Sequence, residues 1–145
     1  MDKTTFDTTY RDPARYKFWI DDQVRFNDLD ILGHVNAVRA NEYFTGAKTK
    51  LFRDAMPNWP HGKLVPVLKL NVMLYESEIH FPQKLDIGLC VEKFGNTSVT
   101  LVTGLFGDGT CLGLCRSLLV FIDNATRQPT APDEETKQKF LTLAA

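Results

Sequence analysis

Two aspartates stand two residues apart in Asn27-Asp28-Leu29-Asp30, and Gly33-His34-Val35-Asn36 follows shortly after. From Asn36 onward the apolar residues recur at helical spacing, so both acids lie just ahead of a helix N-terminus. The unbonded N–H groups of a first helical turn carry roughly half a positive charge and can bind a developing oxyanion. A carboxylate held beside them is ionised at neutral pH, and it can attack a carbonyl carbon or deprotonate a water that does so. A base and an oxyanion donor acting on one carbon suit acyl transfer, and Asp30 is the acid closer to the helix. On spacing alone the same pattern also describes a plain turn whose aspartates cap their own backbone.

The elements that must hold these groups follow from the pattern on either side. Phe18 to Phe26 alternates Phe18, Ile20, Val24 and Phe26 against Trp19, Asp21, Gln23 and Arg25, which predicts a first strand. Asn27 to Val35, with its aspartates and Gly33, predicts a turn. Ala37, Ala40, Phe44, Ala47, Leu51 and Ala55 then form one helical stripe, with Arg39, Glu42, Lys48, Thr49 and Arg53 elsewhere on the wheel. Asn36 caps this helix and Pro57 disfavours helical geometry at Met56. The stripe is rich in alanine, so another backbone can approach it closely. Strands are expected at Leu64 to Phe81, bent or bulged near Asn71 to Tyr75, and at Lys84 to Phe94, Thr97 to Phe106 and Thr110 to Ile122. Their connections are short enough to force antiparallel neighbours. Pro132-Asp-Glu-Glu starts a C-terminal helix with proline at its first position. One strand, a long helix and four more strands make an α+β domain, residues 18–145, in which a five-stranded antiparallel sheet covers one helix. Met1 to Lys17 reads as an arm that lies on the surface or reaches a partner subunit.

At 145 residues with 43% apolar composition there is one core and one site. Lysine plus arginine (17) nearly balances aspartate plus glutamate (18), so the chain lacks the positive field that nucleic acid or an anionic membrane requires. The start has no apolar signal region and no run approaches the roughly 20 residues of a membrane span, so a soluble cytoplasmic protein is expected. Cys90, Cys111 and Cys115 all sit in strand-like runs as small apolar residues. Cys111 and Cys115 on one face of a strand would be roughly 13 Å apart at about 3.3 Å per residue, too far for a disulfide or a shared metal.

The segment Val24-Arg-Phe-Asn-Asp-Leu-Asp-Ile-Leu-Gly-His-Val-Asn-Ala-Val-Arg-Ala-Asn-Glu-Tyr-Phe44 resembles the hotdog-fold thioesterases of the 4-hydroxybenzoyl-CoA thioesterase-like superfamily. The signature is an aromatic residue, Asp-x-Asp, Gly-His-Val-Asn and Glu-Tyr-Phe. The likeness continues in Glu92-Lys-Phe-Gly-Asn-Thr-Ser-Val99, Asp108-Gly109 and Val120-Phe-Ile-Asp123. It implies a hotdog fold and hydrolysis of acyl-CoA to a free acid and CoA, without metal or redox cofactor. The matched catalytic carboxylate is Asp30, with Asp28 shaping the turn. The polarising amide belongs near Asn36 to Val38, with Ala37 the best single match, and His34 and Asn36 are positioning residues. Ala40, Tyr43, Lys93, Thr97 and Ser98 are candidate substrate contacts. Lys48, Arg53, Lys63, Lys84 and Lys93 are candidates for the CoA nucleotide, and the resemblance also implies a homodimer or homotetramer with the site between subunits. Ala37 stands where a second asparagine is frequent and Ala40 where an aromatic is common, which puts acyl-chain choice in doubt. A carrier-protein thioester would use the same residues, and a non-catalytic acyl-CoA-binding hotdog protein would not need Asp30. His80-Phe81-Pro82 is like a motif of hotdog dehydratases, but its place at a strand end makes that match coincidental, and His61 is an exposed loop residue.

Strand faces carry one more expectation. In the last strand Cys111, Gly113, Cys115 and Ser117 share a face that suits close contact with the helix, while Leu112, Leu114, Leu118, Val120 and Ile122 would point away from it. Water is a poor neighbour for that bulky row. Its cover is expected to be either sheet-to-sheet packing into a tetramer or the N-terminal arm.

Overall fold

A computed structural model describes residues 6–145; Met1 to Thr5 of the expected arm lie outside the described residues. Five antiparallel strands, β1 (Phe18–Gln23), β2 (Leu64–Tyr75), β3 (Lys84–Phe94), β4 (Ser98–Gly107) and β5 (Thr110–Asp123), form one sheet. Its order is β1-β3-β4-β5-β2. The sheet wraps helix α1 (Ala37–Ala55), and a second helix, α2 (Glu134–Ala144), closes the chain. This is the hotdog architecture that the sequence implied.

Helix α1 begins where the capping chemistry says it should. The Asn36 side chain accepts from the Val38 N–H, and the helix stops at Met56, immediately before Pro57. Phe44, Ala47 and Leu51 are fully buried against Ile87, Leu89, Leu101, Leu105, Cys115 and Leu119 of the sheet. Burying a side chain the size of Phe44 or Leu51 contributes about 1.5–3 kcal/mol. The alanines between them let the sheet come close enough to collect that gain. Phe140 of α2 is fully buried and meets Phe94 and Phe121 edge-to-face, at 6.0 and 5.7 Å between ring centroids. It fills the end of the core beside the β3–β4 hairpin. Asp133 caps α2, so Pro132 precedes the cap instead of opening the helix.

Several sequence expectations change in the sheet and around it. The run Leu64 to Phe81 is not one strand, because β2 ends at Tyr75 and the chain then folds back. There the Ile79 carbonyl accepts from Val35 at 2.8 Å and the Gln83 carbonyl from Val24 at 2.9 Å. His80 is therefore an exposed residue of this connection and not of a strand end, whereas His61 is the exposed loop residue expected. The bulge in β2 falls between Leu68 and Leu70, earlier than expected. The first strand stops at Gln23, and Phe26, 74% exposed, begins a 3-10 turn to Asp28.

Lys48 departs from expectation as well. It is only 4% exposed, and its Nζ donates to Ser117 Oγ at 3.0 Å and lies 3.5 Å from Asn71 Oδ1. Burial holds its amine below the ordinary lysine range. A side chain beneath the sheet is no surface lysine for a nucleotide.

Strand β5 divides much as expected, with an exception at its start. Gly113, Cys115 and Ser117 face α1: a Cβ on Gly113 would lie 3.5 Å from Phe44, Cys115 packs in the helix-side core, and Ser117 meets Lys48. A register shift between Leu105 and Phe106 changes the alternation, so Leu112 joins the helix-side core while Cys111 packs on the opposite face. Cys111 and Cys115 thus lie on different faces, and all three cysteines are free. On the outer face Leu114, Val102, Phe106 and Cys90 are covered by Phe6, Tyr10 and Tyr16. Of the two covers considered, the arm is the one seen over this part of the sheet.

Candidate functional site

The turn that carries the acids is tied to the helix by its own backbone. The Asp28 carbonyl accepts from Asn36 N–H at 3.0 Å, and the His34 carbonyl accepts from Asp30 N–H at 3.1 Å. Gly33 takes φ +83°, a left-handed conformation that glycine adopts without penalty, and its N–H donates to the Asp30 carbonyl at 3.0 Å. Leu29 and Val35 form an isolated antiparallel bridge across the turn.

Asp28 and Asp30 have different surroundings. Asp28 is buried, and its Oδ2 accepts from Arg25 N–H at 2.9 Å and from the Tyr43 hydroxyl at 2.5 Å. Burial opposes its charge, but the Tyr43 and Arg25 hydrogen bonds, with the Arg25 and Arg39 guanidinium groups, outweigh that and hold the carboxyl below its usual range. Burial and the Asp28 carboxylate together push the Tyr43 phenol well up. Asp28 is thereby a locked structural anion. Asp30 is half-buried, and its Oδ1 accepts from Leu32 N–H at 2.8 Å. Among the described residues its Oδ2 has no partner.

Asp30 lines a cavity of about 420 Å³ with His34, Val35, Ala37, Ala40 and the stretch Tyr75 to Ile79. Ala37 is the first residue of α1, and its N–H finds no acceptor among the described residues; the Val38 N–H is taken by Asn36. A free carboxylate oxygen and a free helix N-terminal amide therefore border one cavity. Most of the lining surface is apolar, from Val35, Ala37, Ala40, Tyr75 and Ile79, which suits an acyl chain, while Asp30, His34, Glu76, Ser77 and Glu78 supply its polar part. The His34 Nε2 lies 4.0 Å from Glu78 Oε1, and no hydrogen bond links the ring to Asp30.

Of the residues singled out in the sequence, Asp30, His34, Ala37 and Ala40 come together at this cavity, and Asn36 and Val38 form the helix start beside it. Tyr43 is 3% exposed and turned to Asp28. Lys93, Thr97 and Ser98 lie elsewhere. Ser98 pairs with Val120, itself opposite Val67, whereas Tyr75 at the cavity pairs with Gly113. That separation is about 25 Å along the strands at about 3.3 Å per residue. Sequence reasoning missed Tyr75, Glu76, Ser77, Glu78 and Ile79 because the run around them read as continuous strand. Serine and acids in Glu76-Ser-Glu78 were the available signal, since they interrupt the apolar pattern. Among the described residues no three His, Cys, Asp or Glu side chains gather closely enough to hold a metal ion.

The model of the thioesterase-like superfamily matches residues 24–140. The chain belongs to that superfamily. The match includes the turn, α1, all of β2 to β5 and most of α2. Among solved structures, the PA5185 protein of Pseudomonas aeruginosa superposes with a TM-score of 0.82 at 25% identity, over 91% of this chain and 94% of that one. A thioesterase of Thermus thermophilus, solved with coenzyme A and zinc, gives 0.80 at 22% identity, over 88% and 94%. The YbaW probable thioesterase of Escherichia coli gives 0.79 at 19% identity, over 88% and 99%. Comparison with curated protein sequences finds no match. No helix among the described residues is long and apolar enough to cross a membrane.

Proposed function

We propose that this protein hydrolyses acyl-CoA thioesters, with Asp30 as the catalytic carboxylate and the Ala37 N–H as oxyanion donor. The observation that carries this reading is the shared cavity: one carboxylate oxygen and one helix N-terminal amide, both without protein partners among the described residues, beside an apolar lining. The superfamily supplies thioester chemistry, and the coenzyme A bound to the Thermus thermophilus thioesterase supports the leaving group.

In the reaction the thioester carbonyl oxygen takes the Ala37 amide, and the positive end of α1 stabilises the charge that develops there. Asp30 either accepts a proton from the attacking water or adds directly to the carbonyl carbon, giving an anhydride that water then opens. In both cases the C–S bond breaks. In the first, the proton that Asp30 took from water passes to the leaving CoA sulfur; in the second, CoA leaves as thiolate and takes a proton from solvent. In each, the acyl group ends as the acid. The acyl chain takes the apolar lining, where Ala40 leaves room. His34, joined to Asp30 through its backbone carbonyl, positions the carboxylate.

The working unit proposed is a homodimer or larger assembly. Among the described residues, edge strand β2 is bonded only on its β5 side, and Leu68 and Leu70 are 53% and 38% exposed. Ile31, Leu32 and Val38, all exposed, neighbour Asp30 and Ala37 along the chain. A second copy laid along this surface would cover apolar area that water disfavours.

Asp30→Asn, compared with wild type for thiol release on a panel of acyl-CoAs, tests the mechanism. Loss of about 10² to 10⁴ in kcat is expected for removal of a general base, and equal rates would refute the assignment. Parallel assays on matched acyl-carrier thioesters separate CoA from carrier-protein substrates.

A further inference from the structure

The arm does more than cover the sheet. Gly88 of β3 and Gly104 of β4 are register partners on its outer face. A Cβ on either would come within 2.7 Å of Tyr16, so the two glycines leave a notch that the Tyr16 ring fills. The Tyr16 hydroxyl donates to the Tyr10 carbonyl at 2.7 Å in a buried bond. Tyr10 is itself buried under the Arg15 guanidinium, 4.2 Å from its ring centre. Trp19 and Phe106 meet the Tyr16 ring edge-on, at 5.8 and 5.7 Å. The chain from Tyr10 to Tyr16 is thus held at several points.

Arg11 lies inside that anchored stretch, and its Nε and one terminal guanidinium nitrogen each lie 2.7 Å from Glu76 Oε1. Glu76 is the first residue after β2, and its N–H and that of Ser77 both reach the Leu112 carbonyl, at 3.0 and 3.3 Å. From there Glu76, Ser77, Glu78 and Ile79 form the wall of the cavity opposite α1. Asp30, Glu76 and Glu78 put three carboxylates around that cavity, and Arg11 answers one of them.

We propose that Arg11 is a positioning residue of the site: anchored from the far face of the sheet through the Tyr16 notch, it holds Glu76, and with it the 76–79 wall, in place for substrate. It also offsets one negative charge where an anionic thioester enters and a carboxylate product leaves. This rests on the reading of the cavity as the thioester site. The pair is partly exposed, which limits its effect to a few-fold.

The test compares wild type, Arg11→Gln and the charge swap Arg11→Glu with Glu76→Arg, by acyl-CoA kinetics and by hydrogen exchange at the Glu76 and Ser77 amides. Arg11→Gln is expected to raise KM about threefold to fivefold with kcat little changed, and to speed exchange at both amides; the swap is expected to bring both readouts back toward wild type. Gly104→Ala, which drives a methyl group into Tyr16, should share the Arg11→Gln signature. Unchanged exchange in Arg11→Gln overturns the clamp, and faster exchange with an unchanged KM overturns its role in substrate binding. If Asp30→Asn retains full activity the catalytic reading fails instead, and the exchange measurement still decides whether Arg11 holds the wall.

Discussion

Replacing Tyr43 by phenylalanine removes one oxygen and leaves the ring in place, so it isolates the bond that holds the site turn. The Tyr43 hydroxyl donates to Asp28 Oδ2 at 2.5 Å, and Asp28 is 5% exposed, so no bulk water can take over as donor. A hydrogen bond to a buried charged group is worth about 1.5–3 kcal/mol. For a domain of this size a loss of about 2 kcal/mol lowers Tm by roughly 4–8 °C. The pH dependence gives the sharper test. The Asp28 carboxyl is held below its ordinary value of 3.8, so its contribution to stability is present above that value and is lost as pH falls through the lower folded-state value. The stability gap between wild type and Tyr43→Phe should therefore be full at neutral pH and shrink below about pH 4. Activity should fall too. Asp28 holds Asn36 through its carbonyl, and a displacement of about 1 Å at such a site costs up to roughly 10² in rate. Urea unfolding of both proteins across this pH range is the assay. A gap that is absent at pH 7, or that stays constant into acid, would refute the anchoring role given to Asp28.

Ala40→Leu fills the cavity from the α1 side, so kcat/KM should fall about tenfold or more for long or bulky acyl-CoAs and little for short ones, by about 1–3 kcal/mol per displaced methylene; an equal change along a chain-length series would remove Ala40 from the acyl pocket. Gly33→Ala places a side chain at φ +83° with open space around it, so backbone strain alone should cost about 1–2 kcal/mol in denaturant titrations. Lys48→Met removes a buried amine whose hydrogen-bond partners are neutral, and the variant should be at least as stable as wild type near pH 7. Because burial lowers the Lys48 pKa below 10.5, the unfolded chain binds the extra proton, and wild type should gain on the variant as pH rises toward that value; a gap independent of pH would show that Lys48 is not desolvated.

What was legible in the sequence was local. Asn36 and Pro57 bound α1 because a cap and a ring constraint act within a few residues, whatever lies around them. Short connections such as Asp108-Gly109 set neighbouring strands antiparallel for the same reason. The acids before the helix, and their match to a thioesterase signature, located Asp30 and Ala37. Contacts between distant segments were not legible. The acids and serine of Glu76-Ser-Glu78 mark where the apolar pattern breaks, but nothing local sends Ser77 and Ile79 back along the Asp30 loop, because that path depends on the distant backbone partners Leu112 and Val35. Lys48 lies on the polar side of its own wheel, and only the sheet that closes over it, bringing Asn71 and Ser117, makes it buried. A register shift beside Leu112 placed Cys111 and Cys115 on different faces, since one extra residue reverses the side-chain alternation. The sequence alone thus determined where the carboxylate and the helix amide lie along the chain. Only tertiary packing decided what faces them, because the cavity's second wall and the Arg11 contact behind it come from segments whose positions depend on long-range pairing.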